Sequence, residues 1–355
     1  MNIRLMILAL LGQFAFNSVL LSQEELTQAN LYLDSLFKSK EPGGAIIVAT
    51  KDTILYEKYS GLANAELGVP INDNTLFRIG SVTKPITASI ILRLHEKGLL
   101  NLEDPITKHL PMFITEHPVR IVDLLTHSSG IKNYTTMDTW TDSFRKADHS
   151  RSEMIDFFYD STLEFEPGTM WRYNDSGYYL LGVIAEKVTQ LPFNEVLKLE
   201  LSNSSKTGSM LMDANHNIIL NRASGYHFSK KGFINAPYLS DSQAFSAGGV
   251  LASAPALYKW FNALLNNRLL KEHNLSKMLS SYRLPGGRTI NYSLGFRIDE
   301  STDKIVSHDG FINGFLSDIR YSPDKNIVVI CLLNNMKHDP RKITKDLIAL
   351  WSIKE

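Results

Sequence analysis

A serine followed three residues later by a lysine is the arrangement in this chain best fitted for covalent chemistry. It lies in Phe77-Arg78-Ile79-Gly80-Ser81-Val82-Thr83-Lys84-Pro85. Val82, Ile86, Ile90, Ile91 and Leu94 recur at helical spacing and Gly98 closes the run, which predicts a helix opening at Ser81. Residues three apart share a helix face, so Lys84 can reach back over Ser81. A serine hydroxyl becomes a nucleophile when a neighbour takes its proton. A lysine can do so only as a neutral amine, a form favoured by burial or by a second cation. The helix start adds free backbone N–H groups and the positive end of the dipole. Pro85 is tolerated there because first-turn amides have no intrahelical partner. The same spacing recurs from Ser35, Ser129, Ser143, Ser301 and Ser322. Those copies sit in polar or turn-rich surroundings or late in a helix. Ser81 alone follows a strand-and-loop pattern and opens a long apolar helix.

Two further clusters could serve such a serine. Trp171-Arg172-Tyr173-Asn174-Asp175-Ser176-Gly177-Tyr178 precedes a helical pattern. A phenol beside a lysine gives up its proton more easily, so Tyr173 could be a base to Ser81 or an acid to a leaving group. The alternative is a tyrosine that packs a loop on the core. Ser307-His308-Asp309-Gly310-Phe311 lies between β-rich runs. His308 could be a cation or donor at a cleft wall, and Gly310 allows close backbone approach. The alternative is a surface turn with a solvated histidine.

The elements that must position these residues follow from periodicity. Glu25–Phe37 reads as an amphipathic helix. Ala45–Thr50 and Thr53–Tyr59, around the turn Lys51-Asp52, read as a β-hairpin. From Leu102 to about Ser240 the pattern is mainly helical, with Tyr178–Thr189 and Phe193–Leu201 its clearest helices. Pro255–Leu265 is helical, and Ser293–Ile298, Lys304–Ser307, Phe315–Tyr321 and Ile327–Leu333 are β-rich. Arg341–Trp351 closes the chain as an amphipathic helix. An early hairpin and late strands predict one antiparallel sheet built from both chain ends. The helical middle forms a second lobe, with a site in the cleft between the two.

With 355 residues the chain can bury a large core. Its 37 basic and 37 acidic residues balance, and without a basic stripe nucleic acid is not an expected partner. The single cysteine, Cys331, excludes an internal disulfide and lies in an apolar run, where an inert buried thiol is expected. Met1–Ser22 has the form of a secretory signal: Arg4, the apolar Leu5–Leu11, then polar Gln23-Glu24-Glu25. Periplasmic or secreted localisation is expected, with membrane association as the alternative if the signal is retained. No stable anchor is expected after cleavage. The sequence sets no oligomeric state.

Taken together, the three clusters resemble the serine hydrolases of the β-lactamase and penicillin-binding type. The nearest group is that of class C β-lactamases, DD-peptidases and family VIII esterases. Its Ser-x-x-Lys motif matches Ser81–Lys84 and its Tyr-x-Asn motif matches Tyr173-Asn174-Asp175, with aspartate third. Its Lys-Thr-Gly or His-x-Gly motif matches His308-Asp309-Gly310. Supporting matches are Leu124–Gly130, Glu166-Pro167-Gly168, Gly177–Gly182 and Ser246-Ala247-Gly248-Gly249. The literal triplet Lys206-Thr207-Gly208 follows a helix and a polar run, so it is read as a solvated loop. Ser240-Asp241-Ser242 is discounted likewise.

The resemblance implies an α+β, β-lactamase/transpeptidase-like fold in which residues 23–355 form one catalytic domain. Residues 23–78 and 244–355 would make the sheet lobe, and 79–243 the helical lobe. It implies Ser81 as the acylated nucleophile and Lys84 with Tyr173 as the proton shuttle. The oxyanion would lie between the N–H groups of Ser81 and Phe311, with His308 and Gly310 on the substrate side. No metal or organic cofactor is implied. Asp175 departs from the pattern: an ionised carboxylate accepts hydrogen bonds but cannot donate one to an acyl-amide carbonyl. It would hold Lys84 protonated and shift the duty of base to Tyr173. The expected activity is therefore hydrolysis of an ester, or of a D-amino-acid amide or peptide bond, in a small-molecule or peptide substrate. A DD-carboxypeptidase or β-lactamase is the enzymatic alternative. A weakly catalytic protein that binds cell-wall fragments or β-lactams is the alternative of another class.

Overall fold

The computed structural model describes residues 23–202 and 210–351. The expected signal at Met1–Ser22 and the Lys206-Thr207-Gly208 triplet lie outside the described residues. Among the described residues no helix is long and apolar enough to cross a membrane.

The early apolar run forms β1 (Gly44–Ala49) and returns as β2 (Ile54–Ser60). The last third of the chain supplies β3 (Arg297–Asp299), β4 (Ile305–Ile312), β5 (Phe315–Ser322) and β6 (Ile327–Leu333). All six join one antiparallel sheet in the order β3-β4-β5-β6-β1-β2, so both chain ends build it. β1 and β6 are apolar at every position because both faces of the sheet are covered. Ala45, Ile47, Ile330 and Leu332 face the main core, whereas Ile46, Val48, Val329 and Cys331 face a second one. Burial pushes the Cys331 thiol well above its ordinary range, which leaves it inert.

The helices that bear on the site are α1 (Gln23–Leu36), α2 (Thr83–Glu96), α3 (Asp142–Lys146), α4 (Asp175–Thr189), α5 (Asp241–Gly248) and α6 (Pro340–Leu350). α1 and α6 cover the second core through Ala29, Leu33, Ile343 and Leu347. α2 is buried along nearly its whole length, which its apolar run requires. It packs against α4 and α5.

Three features depart from the sequence pattern. One strand runs straight through His308, where two short runs around a turn were expected. Of Ser293–Ile298 only the end joins the sheet, because the chain turns at Gly295 (φ +99°) to lie against Pro85. The middle of the chain also holds strands: Met210–Met212 and Phe77–Arg78 flank Val250–Ala252, and Tyr226–Ser229 pairs with Gly232–Asn235.

Under α6 the sheet buries a carboxyl group. Asp318 on β5 accepts from Thr344 Oγ1 and from Arg320 Nε, the latter at 3.2 Å, while its Oδ1 has no partner. Burial outweighs the guanidinium and pushes this carboxyl from 3.8 up to about 7. A raised acid is stabilising while protonated. Its contribution is complete below about pH 4 and disappears as pH rises through about 7. Relative to Asp318→Asn, the parent protein is expected to lose about 2–5 °C in Tm between those pH values, read by calorimetry. Parallel Tm curves for the two proteins would contradict this.

Candidate active site

The main core places Ser81 at a junction of sheet and helix. Phe77–Arg78 is tied to Val250–Ala252, and Ile79 N donates to Val250 O at 3.1 Å. Gly80 then turns at φ +50°, which delivers Ser81 in a short 3-10 turn running directly into α2. Ser81 is half-buried and opens on a cleft of about 510 Å³.

Lys84, one turn on, is fully buried. Its Nζ donates to Ser81 Oγ at 3.2 Å, to Asp175 Oδ1 at 2.6 Å and to Ala247 O at 2.9 Å. Three acceptors match the three N–H bonds of an ammonium. The Ser246–Gly249 segment contributes because α5 ends there, against the first turn of α2. Thr87 Oγ1 donates to Ser246 O, and Val250 N donates to Thr83 Oγ1.

Tyr173 arrives on the loop before α4. Asn174 caps that helix, accepting from Gly177 N at 2.7 Å. His127 holds the loop from behind. Its Nδ1 accepts from Asn174 N at 3.1 Å, its carbonyl accepts from Arg172 N, and its ring lies 4.4 Å from that of Tyr173. Burial, followed by the nearby Lys84 charge, holds His127 well below its ordinary range, hence neutral. Tyr173 lines the same cleft as Ser81, and Lys84 Nζ lies 4.8 Å from its ring centre. Burial and then the Asp175 charge push this phenol well above 10, against the expectation that the lysine would ease its ionisation. Desolvation disfavours the phenolate more than the cation helps it.

Asp175 lines the cleft and is rigid. Its Oδ1 accepts from Lys84, its Oδ2 from Thr135 Oγ1 at 3.0 Å, and its N–H is held by Asn133 Oδ1.

The direction of the Phe311 N–H follows from strand parity. The two-residue loop Asn313-Gly314 makes Ile312–Phe315 a hydrogen-bonded pair, and pairs then alternate along the strands. Phe311 therefore turns its N–H away from β5. β3 covers β4 only at Ile305–Ser307, so that edge is open at Phe311. The Gly80–Ser81 backbone fills the opening. A Cβ on Gly310 would lie 2.1 Å from Ile79 O and 3.1 Å from Ser81 N, and one on Gly80 would lie 2.8 Å from Phe311 N. Both glycines are required by this approach.

His308 needs correction. Parity sends its side chain inward, where it is fully buried and does not line the cleft. Its Nδ1 lies 2.7 Å from Asp309 O and its Nε2 accepts from Tyr292 OH at 3.1 Å. Burial and the Lys84 charge pull it down to about 3, so it is neutral rather than a cation. The ring, 6.2 Å from that of Tyr173, lies behind the cleft wall.

Several cleft residues were not singled out in the sequence. Arg297 Nε donates to Asp309 Oδ1 at 3.1 Å, and its guanidinium lies 5.3 Å from the Tyr173 ring. Thr135, Arg145 and Gln243 also line the cleft. None belongs to a local periodicity that could mark it. Ser240, discounted in the sequence, caps α5 and bonds Asp148 outside the cleft. A larger hollow of about 630 Å³ around Met212–Asn221 lacks a nucleophile, and its one carboxylate, Asp213, is paired by Arg78 and Arg222.

Comparison with known proteins gives a consistent result. The family model described as Beta-lactamase matches residues 29–350. Penicillin-binding protein 4* of Bacillus subtilis (strain 168) is 27% identical over 338 residues, covering 90% of this chain and 74% of that protein. Esterase EstB of Burkholderia gladioli is 36% identical over 164 residues, covering 42% of each. The structure of the octameric penicillin-binding protein homologue from Pyrococcus abyssi superposes with a TM-score of 0.78 and 27% identity, covering 93% of this chain and 77% of that one.

Proposed function

The chain belongs to the β-lactamase family, and on that premise we propose that Ser81, Lys84 and Tyr173 form its catalytic group. The protein is a serine hydrolase, with residues 23–355 as one catalytic domain. It acts outside the cytoplasm after export by the Met1–Ser22 leader, on an ester or a D-amino-acid amide bond of a small molecule or peptide. The observation that carries this reading is Lys84 Nζ, which bridges Ser81 Oγ and Asp175 Oδ1 in one cleft.

In this reading Ser81 Oγ attacks the carbonyl carbon while its proton passes to the Lys84/Tyr173 pair. The oxyanion is held by the N–H groups of Ser81 and Phe311. The pair returns the proton to the leaving alcohol or amine, and water then cleaves the acyl-enzyme by the same route. Asp175 opposes the first step at both candidate bases. It binds the Lys84 ammonium directly, and its charge disfavours the Tyr173 phenolate. The active form is the one in which the pair has lost one proton, and the titration belongs to the pair.

Asp175→Asn removes that opposition. The rising limb of kcat/KM against pH for a simple ester is expected to move to lower pH. At pH 7 the ester rate then stays level or rises. The asparagine also gains an amide donor, so penicillin acylation rises relative to ester cleavage. The parent protein is expected to cleave p-nitrophenyl esters or D-alanyl amides at least about tenfold better than cephalosporins. Equal efficiency on cephalosporins, or an Asp175→Asn protein that loses ester activity, overturns the role given to the carboxylate.

A further inference from the structure

Counting the buried Lys84 behind it, the cleft carries one more cation than anion. Asp175 is taken by Lys84 at 2.6 Å and Asp309 by Arg297 at 3.1 Å. The remaining charged residue of the lining is Arg145, on α3. Its nearest carboxylate, Asp142, lies 3.4 Å from Nη1, is 77% exposed, and is shared with Lys146 at 3.9 Å. An exposed pair of that kind neutralises little charge. Arg145 Nη2 donates to Asn313 Oδ1 at 3.2 Å, and its side chain keeps 28% exposure, so a solute can reach the guanidinium from the cleft.

The guanidinium is nevertheless held firmly in place. It lies 4.7 Å from the centre of the Trp140 ring. Trp140 Nε1 donates to Gln243 Oε1, and Gln243 Nε2 donates to Phe144 O. The Arg145 carbonyl accepts from Ser240 N, and Asn313 Nδ2 donates to Pro237 O. Tyr134, Trp140 and Leu239 supply apolar surface in the same cleft as Ser81. The wall is thus fit for a chain that starts at the reacting carbonyl, runs over apolar surface, and ends in an acceptor.

We infer that Arg145 is a specificity residue for an acyl group that ends in a carboxylate, so that the preferred substrates are half-esters or half-amides of dicarboxylic acids. A carboxylate offers two acceptor oxygens to the planar guanidinium and neutralises its charge. A neutral acceptor supplies hydrogen bonding without the opposite charge. The inference rests on the acyl-enzyme reading above for Ser81.

The test compares mono-p-nitrophenyl adipate and suberate with p-nitrophenyl hexanoate and octanoate, corrected for spontaneous hydrolysis. The parent protein is expected to favour an acid-ended ester over its matched neutral ester by about tenfold or more in kcat/KM. In Arg145→Gln the ratio falls towards one, and in Arg145→Lys, which keeps the charge but not the fork, part of it survives. A parent ratio near one, or a preference retained in Arg145→Gln, overturns the inference. A parent protein that cleaves neither ester type sinks the acyl-enzyme reading instead. Binding then decides the inference alone: by calorimetry, Ser81→Ala protein should take monomethyl suberate more tightly than methyl octanoate. Adding Arg145→Gln should erase that difference, and persistence of the difference refutes the inference.

Discussion

Ser81→Ala protein is expected to lose covalent labelling by a fluorophosphonate completely, and ester turnover by about 10⁴-fold or more. The loss is chemical, because Ser81 supports little of the fold through its side chain. Its Oγ touches only Lys84 Nζ among the polar contacts described. The oxyanion donor proposed at this residue is the backbone N–H, which alanine keeps. Tm is therefore expected to stay within about 2 °C of the parent protein, and ester binding to survive. The other serines with a lysine three residues on provide the control. Ser143 and Ser301 are exposed and face no amine in a cleft. Ser143→Ala and Ser301→Ala proteins should label as the parent does. Mass spectrometry of the labelled parent should place the adduct on the peptide carrying Ser81, and an adduct elsewhere refutes the assignment.

How far the site was legible depends on whether its geometry is local. The Ser81–Lys84 pair is one helical turn, so spacing and apolar periodicity were enough to find it. β1 and β6 were legible because a sheet covered on both faces demands unbroken apolar runs. Asp175 was legible as a departure, since a carboxylate cannot donate where an amide can. His308 was found at the right place in the chain and at the wrong depth. A motif gives position along a strand, but which face a side chain takes depends on register, and the Asn313-Gly314 loop sets that register. Arg145 was invisible. It sits in a short polar helix and reaches the cleft by way of Asn313, 168 residues further on. No local pattern records such a contact. Tyr173 was found, but the effect of its environment was reversed, because the burial that dominates it belongs to the assembled fold.

Lys84→Met should produce the second largest loss, about 10³-fold in kcat/KM, and the argument lies in separating chemistry from folding. Methionine keeps most of the buried stem but removes the ammonium. Three acceptors then lose their donor: Ser81 Oγ, Ala247 O and Asp175 Oδ1. Asp175 is the serious case, because its side chain is only 16% exposed and retains just the Thr135 donor on its carboxylate. Breaking one side of such a pair destabilises by about 3 kcal/mol, less to the extent that water reaches the carboxylate. A loss of activity in the single variant could therefore reflect a disturbed site. The Lys84→Met/Asp175→Asn protein resolves this, since asparagine leaves no uncompensated charge. Its Tm is expected to recover most of the way to the parent value while kcat/KM stays about 10³-fold down. Recovery of both would make Lys84 a structural anchor and leave Tyr173 alone to move the Ser81 proton. Recovery of stability without activity assigns the amine to the reaction itself.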